Sequence, residues 1–184
     1  MTTIFAKNIL ASRHATTGAR IAIMTVGAPG SGKTTYARGL DPTEWITVCL
    51  DDIRAALFGD KKVYFKHLEA NPWMRQMVHR VNRGMLRTAL RAGKNVILPN
   101  THTNHASFQD VLQILDKHEI DPKIVVFDVP WDVLVAREER RSAADTVGLP
   151  FLRDSYTQQW ATNAWWRRMS NVEVIKQSVE VEPC

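Results

Sequence analysis

An α/β fold is predicted: a parallel sheet of four or five strands, helices on both faces and a helical lid. Three observations predict it. Short apolar runs alternate with longer amphipathic stretches, the pattern of repeated βαβ units. A glycine-rich loop joins the first apolar run to the first amphipathic stretch. No Pro/Gly/Ser linker, low-complexity tract or internal repeat divides the 184 residues.

The elements follow in order. Arg20 to Val26 is a β-rich apolar run and reads as the first strand, followed by the glycine loop and a helix through Leu40. Trp45 to Leu50 reads as a second strand and Ile53 to Phe58 as a short helix. Gly59 to Pro72 reads as irregular. Trp73 to Arg91 is helical, with Gly93 placed to terminate it. Val96 to Leu98 is a third strand, Asn104 to His118 a helix, and Lys123 to Val129 a fourth strand. Trp131 to Arg141 is helical, Phe151 to Arg168 forms a last long helix, and Val172 to Ile175 completes a fifth strand. Residues 1–19 read as an N-terminal extension, and 20–184 as one domain with a lid near 137–150.

Composition excludes several classes. Hydrophobic residues are 45% and charged residues 23%, near the globular average, which excludes a disordered, collagen-like or coiled-coil chain. No apolar run approaches the roughly 18 residues of a membrane span, and no secretory signal is expected at the N-terminus. Cys49 and Cys184 are the two cysteines, which fits a reducing compartment and a cytoplasmic location. The formal net charge is +5, and it is unevenly spread. Between Ile53 and Lys94 basic residues far outnumber the two acids, Asp60 and Glu69. Such a block is either an electrostatic footprint for nucleic acid or a solvated basic helix.

Gly27-Ala28-Pro29-Gly30-Ser31-Gly32-Lys33-Thr34 matches GxxxxGK[ST] at every fixed position, after an apolar strand and before a helix. The glycines let backbone N–H groups converge on phosphate, and the helix adds its positive dipole end. Lys33 suits the β- and γ-phosphates of ATP, and the Thr34 hydroxyl suits Mg²⁺. Thr35 extends the same run. Asp51-Asp52-Ile53-Arg54 follows the second strand. A carboxylate there can face the γ-phosphate and accept a proton from an attacking hydroxyl. Asp51 is assigned that task and Asp52 the N-cap of the next helix. Arg54, one turn on, can hold an anionic part of the acceptor.

With Val126-Phe127-Asp128-Val129-Pro130-Trp131, Arg137 and Arg141 added, these segments resemble the P-loop polynucleotide kinase family, specifically the 5′-kinase domain of the bacteriophage polynucleotide kinase-phosphatase. The order and separations are similar from Ile21 to Trp160. The resemblance implies a P-loop kinase fold that uses ATP and Mg²⁺ to phosphorylate the 5′-OH end of DNA or RNA. By it, Asp51 is the general base, Arg54 binds the phosphate inside the terminal nucleotide, and Arg137 and Arg141 are lid arginines. A phage-encoded chain would work in the host cytoplasm. Leu50 replaces an arginine of that family and Asn100 an aspartate, which puts the acceptor preference at issue; Asn100 and Thr101 are counted as acceptor-side residues. No Asp-x-Asp-Gly-Thr segment occurs, so the phosphatase half is expected to be missing. Two other functions are carried: a kinase of a small metabolite or of a hydroxylated base in DNA, and a nucleotide-dependent binding module.

Arg80, Arg83, Arg87 and Arg91 form a stripe that either tracks a phosphate backbone or faces solvent. Asn71-Pro72-Trp73, with Phe65 and His67, is either a base-stacking platform or packing. Trp160, Trp165 and Trp166 read as packing of the last helix, with one exposed face available for an oligomer contact. His102 and His105 lack a third ligand for zinc, and Asp128 reads as structural.

Overall fold

The computed structural model describes residues 20–103, 105–142, 145–161 and 163–177, without the side chains of 105–107. Residues 1–19, Asn104, part of the expected lid at 143–144 and Cys184 lie outside the described residues. Five strands form one parallel sheet in the order β2-β3-β1-β4-β5. They are β1 (Ala22–Val26), β2 (Trp45–Thr47), β3 (Asn95–Leu98), β4 (Lys123–Asp128) and β5 (Val172–Lys176). The helices are α1 (Lys33–Arg38), α2 (Leu50–Phe58), α3 (Lys61–His67), α4 (Trp73–Arg91), α5 (His105–Asp116), α6 (Trp131–Glu139) and α7 (Leu149–Trp160).

The central strand β1 is buried at all five positions, as a continuous apolar run predicts for a sheet covered on both faces. Its alternate residues serve two cores. Ala22, Met24 and Val26 pack with Leu86 and Leu90 of α4, Val111 and Leu115 of α5, and Trp165 and Trp166. Ile23 packs with Ala37 of α1, Leu134 of α6 and Leu152 of α7, alongside Ile97, Val125 and Phe127. Each Val, Leu, Ile, Phe or Met side chain among them contributes roughly 1.5–3 kcal/mol when fully buried. A third, smaller cluster (Ile53, Tyr64, Met74 and Val78) joins α2, α3 and α4 away from the sheet.

Four expectations are corrected. Gly59–Pro72 is not irregular: it contains α3, whose N-cap Asp60 accepts from the Lys62 amide at 2.8 Å and whose Tyr64 is buried in the third cluster. The second strand stops at Thr47, and α2 begins at Leu50 rather than Ile53. Asn100 Oδ1 accepts from the Leu50 amide at 2.9 Å and fixes that early start. Asp52 is therefore not the N-cap: Cys49 holds that position, and Asp51 and Asp52 lie in the first turn, where the helix dipole favours acids. The last helix does not run unbroken to Arg168. It ends at Trp160, and Trp165–Arg168 forms a separate 3₁₀ turn. There the Trp166 indole donates to Gln159 O at 2.8 Å and the Trp165 indole to His102 O at 2.7 Å, drawing the chain back onto the sheet.

Candidate active site

The glycine loop follows the carboxyl end of β1, the edge where ligands sit in such sheets. Gly30 and Gly32 have φ of +85° and +94°, which side-chain-bearing residues rarely adopt. A Cβ on Gly30 would also lie 3.3 Å from Nη2 of Arg141. The loop is anchored from distant sequence: Gly27 N–H donates to Thr101 O at 3.2 Å and Ala28 N–H to Gln159 Oε1 at 2.9 Å. Gln159 is buried, and its Nε2 donates to Phe127 O at 2.8 Å, so one amide side chain bridges β4 and the loop.

Lys33 is 7% exposed. Its Nζ donates to Gly27 O (2.9 Å), Ala28 O (2.7 Å) and Ser31 Oγ (3.1 Å). Burial first, and then the charge of Arg141, lower its pKa to about 7, against the opposing pull of Asp51 and Cys49. Arg141 and Asp51 thus both lie within electrostatic reach of the same ammonium group.

Asp51, its side chain 55% exposed, pairs with Arg54 Nη1 at 2.5 Å. The Arg54 side chain is only 16% exposed. Its guanidinium carbon lies 5.2 Å from the Tyr64 ring centroid and 5.1 Å from that of Phe65, and its Nε is buried without a partner. Asn100 is buried, and both ends of its amide face the α2 entry: Oδ1 accepts from Leu50 N, and Nδ2 donates to Val48 O at 3.4 Å. It sets where α2, and so Asp51, begins.

On the lid side, Arg137 Nη1 donates to Gly30 O (3.0 Å) and Gln177 Oε1 (2.9 Å), and Gln177 Nε2 donates to Ser31 O (3.2 Å). Arg141 pairs with Glu138 at 2.9 Å. The Glu138 carboxylate is buried and also accepts from Thr146 Oγ1 (2.6 Å), Val147 N (2.5 Å) and Gly148 N (2.7 Å). Burial raises its pKa, but the hydrogen bonds and the Arg141 charge outweigh that and the net shift is downward. Lys61 of α3 pairs with Asp145 at 3.2 Å, tying α3 to the segment after α6.

The structure thus brings Lys33, Arg137 and Arg141 together around the loop, with Asp51 and Arg54 beside it. Thr34 and Thr35 are exposed on α1, Pro29 is half-buried, and Ser31 is buried against Lys33. The stripe of α4 is not part of this group. Arg80, Arg87 and Arg91 are exposed, whereas Arg83 pairs with Asp110 of α5 at 2.8 Å. His102 is buried and donates from Nδ1 to Thr25 O at 2.8 Å; burial lowers its pKa to about 4, so it is a neutral structural group. Three residues escaped the sequence analysis: Glu138, Gln159 and Gln177. No local pattern could have found the glutamines, whose partners lie 131 and 146 residues away.

A protein-family model described as "AAA domain" matches residues 23–162. The chain belongs to that family. No curated protein matches the sequence. Among solved structures, this AAA-domain chain is similar to a chain of the Pnkp1/Rnl/Hen1 RNA repair complex, with 28% identity and a TM-score of 0.65. The match covers 81% of the present chain and 47% of the other, so the chain spans about half the length of that relative. A sugar kinase from Janibacter sp. shares the fold at 15% identity and a TM-score of 0.56, covering 86% of each chain. The tunicamycin resistance protein of Deinococcus radiodurans does so at 16% and 0.55, again over 86% of each chain. The fold is that of the P-loop kinase superfamily.

The loop fits a nucleotide triphosphate. Two left-handed glycines leave its inner face without side chains, and a buried lysine and two arginines surround it. Among the described residues no three His, Cys, Asp or Glu side chains cluster as a metal site. The exposed Thr34 hydroxyl is the group that would hold Mg²⁺ together with the phosphates. Among the described residues no helix is long and apolar enough to cross a membrane.

Proposed function

We propose that this AAA-domain chain is an ATP-dependent polynucleotide 5′-hydroxyl kinase. The observation that carries the proposal is the Asp51–Arg54 pair at the start of α2, within electrostatic reach of Lys33. A hydroxyl acceptor needs a carboxylate to orient it and take its proton, and a phosphorylated acceptor needs a cation one turn further on. The similarity to a chain of an RNA repair complex supports a nucleic-acid acceptor.

Lys33 holds the β- and γ-phosphates, and the loop amides from Gly27 to Thr35 surround them. The Thr34 hydroxyl would hold Mg²⁺, which would supply charge neutralisation to the phosphates. Asp51 accepts the proton of the 5′-OH as its oxygen bonds to the γ-phosphorus and the bond to the ADP oxygen breaks. Arg137 and Arg141 stabilise the charge on the departing side. Arg54 holds the phosphate inside the terminal nucleotide. Asn100 acts by fixing the start of α2, and Thr101 by anchoring Gly27. The chemistry asked of the protein is mainly positioning and electrostatics.

The test is transfer of label from γ-labelled ATP to a 5′-OH oligonucleotide, with a nucleoside, a nucleoside 3′-monophosphate and a hydroxymethylated DNA as competing acceptors. Label on the oligonucleotide 5′ end is expected, with the 3′-monophosphate preferred to the nucleoside. Label on the hydroxymethyl group, or ATP hydrolysis without transfer, would replace the proposal.

A further inference from the structure

A row of aromatic rings leads outward from Asp51. Arg54, paired to Asp51, lies against the rings of Phe65 and Tyr64. Tyr64 meets Phe65 edge-on at 5.1 Å between centroids and Phe58 at 5.5 Å, and Phe58 meets Trp73 at 6.3 Å. The middle of the row is core: Tyr64 is 2% exposed and belongs to the third cluster. The two ends are not. Phe65 and Trp73 are each 54% exposed.

A half-exposed phenylalanine beside a carboxylate–arginine pair is poor packing, because it leaves apolar area in water. It is a good contact for a flat ring. Its backbone is fixed in α3, its ring packs T-shaped with Tyr64 and lies against Arg54, so little freedom is lost when a second ring covers its exposed part. The surrounding charge favours an anionic ligand, since α3 also carries Lys62 and Lys66, beside Lys61, which pairs with Asp145. Rigid aromatic faces set among basic side chains are how single-stranded nucleic acid is held without sequence preference. A sugar or other small aliphatic acceptor would use Asp51 and leave this wall idle.

We infer that Phe65 is a stacking platform for a nucleobase at the accepting end, so that the substrate is a base-bearing nucleotide end rather than a hydroxyl group of any kind. This rests on the proposed kinase reading and adds the acceptor subsite to it. Phe65 is a specificity-determining residue and touches no reacting atom. Trp73, at the far end of the row, is the second exposed face.

The experiment compares a single-stranded 5′-OH oligonucleotide with the same strand bearing an abasic 5′-terminal residue. The proteins are the wild type and the variants Phe65→Leu and Phe65→Tyr. Leucine keeps an apolar cover over Arg54 and removes the π face, whereas tyrosine keeps both. For the wild type and Phe65→Tyr, KM is expected to be about tenfold lower for the base-bearing end, within the range that base–aromatic stacking spans. For Phe65→Leu that ratio is expected to fall to near one with kcat changed less than KM. A ratio near one in the wild type, or a tenfold ratio retained by Phe65→Leu, overturns the inference. Anisotropy of the same two strands, fluorescently labelled and without ATP, reads the base dependence of binding independently of transfer. If neither strand is phosphorylated, the kinase proposal fails, and the anisotropy ratio alone then supports or overturns the platform.

Discussion

The two sides of the proposed active site are built by different means. The nucleotide side is a contiguous loop whose recognition groups are mostly backbone, and its one cation, Lys33, is satisfied by the loop's own carbonyls. The proposed acceptor side is made of side chains on two short helices: an exposed carboxylate and a clamped arginine on α2, and the half-exposed Phe65 on α3. Those helices rest on the small third cluster and not on the sheet. Phosphate recognition by backbone needs one local conformation, so it can be written in eight consecutive residues. Acceptor recognition needs several elements to meet, so its chemistry can change without disturbing the fold.

If that division holds, damage to the nucleotide side should be the more severe. Lys33→Ala removes the buried cation and should lower transfer by about 10³-fold or more, whichever acceptor is used. Normal turnover would remove the loop from the mechanism. Arg141→Ala should lower kcat by about 10²-fold with a smaller effect on ATP affinity, because its charge matters most in the transition state. A change confined to the KM for ATP would end its assignment to the lid.

Glu138→Gln sharpens the comparison, since it alters the lid without touching either ligand. It keeps an acceptor for the Thr146–Gly148 donors but loses the ion pair to Arg141. Turnover should fall about tenfold, with a stability loss of about 1–3 kcal/mol seen in thermal melts. Unchanged turnover would make Glu138 merely structural.

The smallest expected effect is on pH dependence. The Lys33 pKa is lowered from 10.5 to about 7 in the folded loop. The folded state therefore binds fewer protons than the unfolded chain between these values, and this residue's contribution to stability grows as pH rises through that window. A bound triphosphate reverses the preference and favours the ammonium form. ATP binding should take up a proton at pH 8 and almost none at pH 6, and should weaken above about pH 7. Calorimetry in buffers of different ionisation enthalpy reads this directly. No uptake at pH 8 would mean that Lys33 is already charged in the empty loop.

The same division explains what could be read from the sequence. The strand–loop–helix around Gly27–Thr34 and the five-strand alternation were visible, because apolar runs and glycine placement are local signals. The start of α2 was not, because it is set by Asn100, fifty residues away. Nor was α3, where the Asp60 cap was present but its single buried residue, Tyr64, gives no helical periodicity. The break after Trp160 depends on two indoles finding carbonyls, one of them 63 residues away in the sequence. Buried Glu138 looked like any charged residue on a surface helix, since burial of a carboxylate is a tertiary fact.

The central claim is that Asp51 is the acceptor-side base opposite an intact nucleotide loop. Asp51→Asn tests it most directly, with transfer to a 5′-OH oligonucleotide and ATP affinity measured on the same preparation. Asparagine keeps the shape, so the fold and the loop should survive. A positioned base contributes about 10²–10⁴-fold, so transfer should fall by about two orders of magnitude or more while ATP affinity changes little. Transfer at the native rate, or equal losses of transfer and ATP binding, would contradict the account.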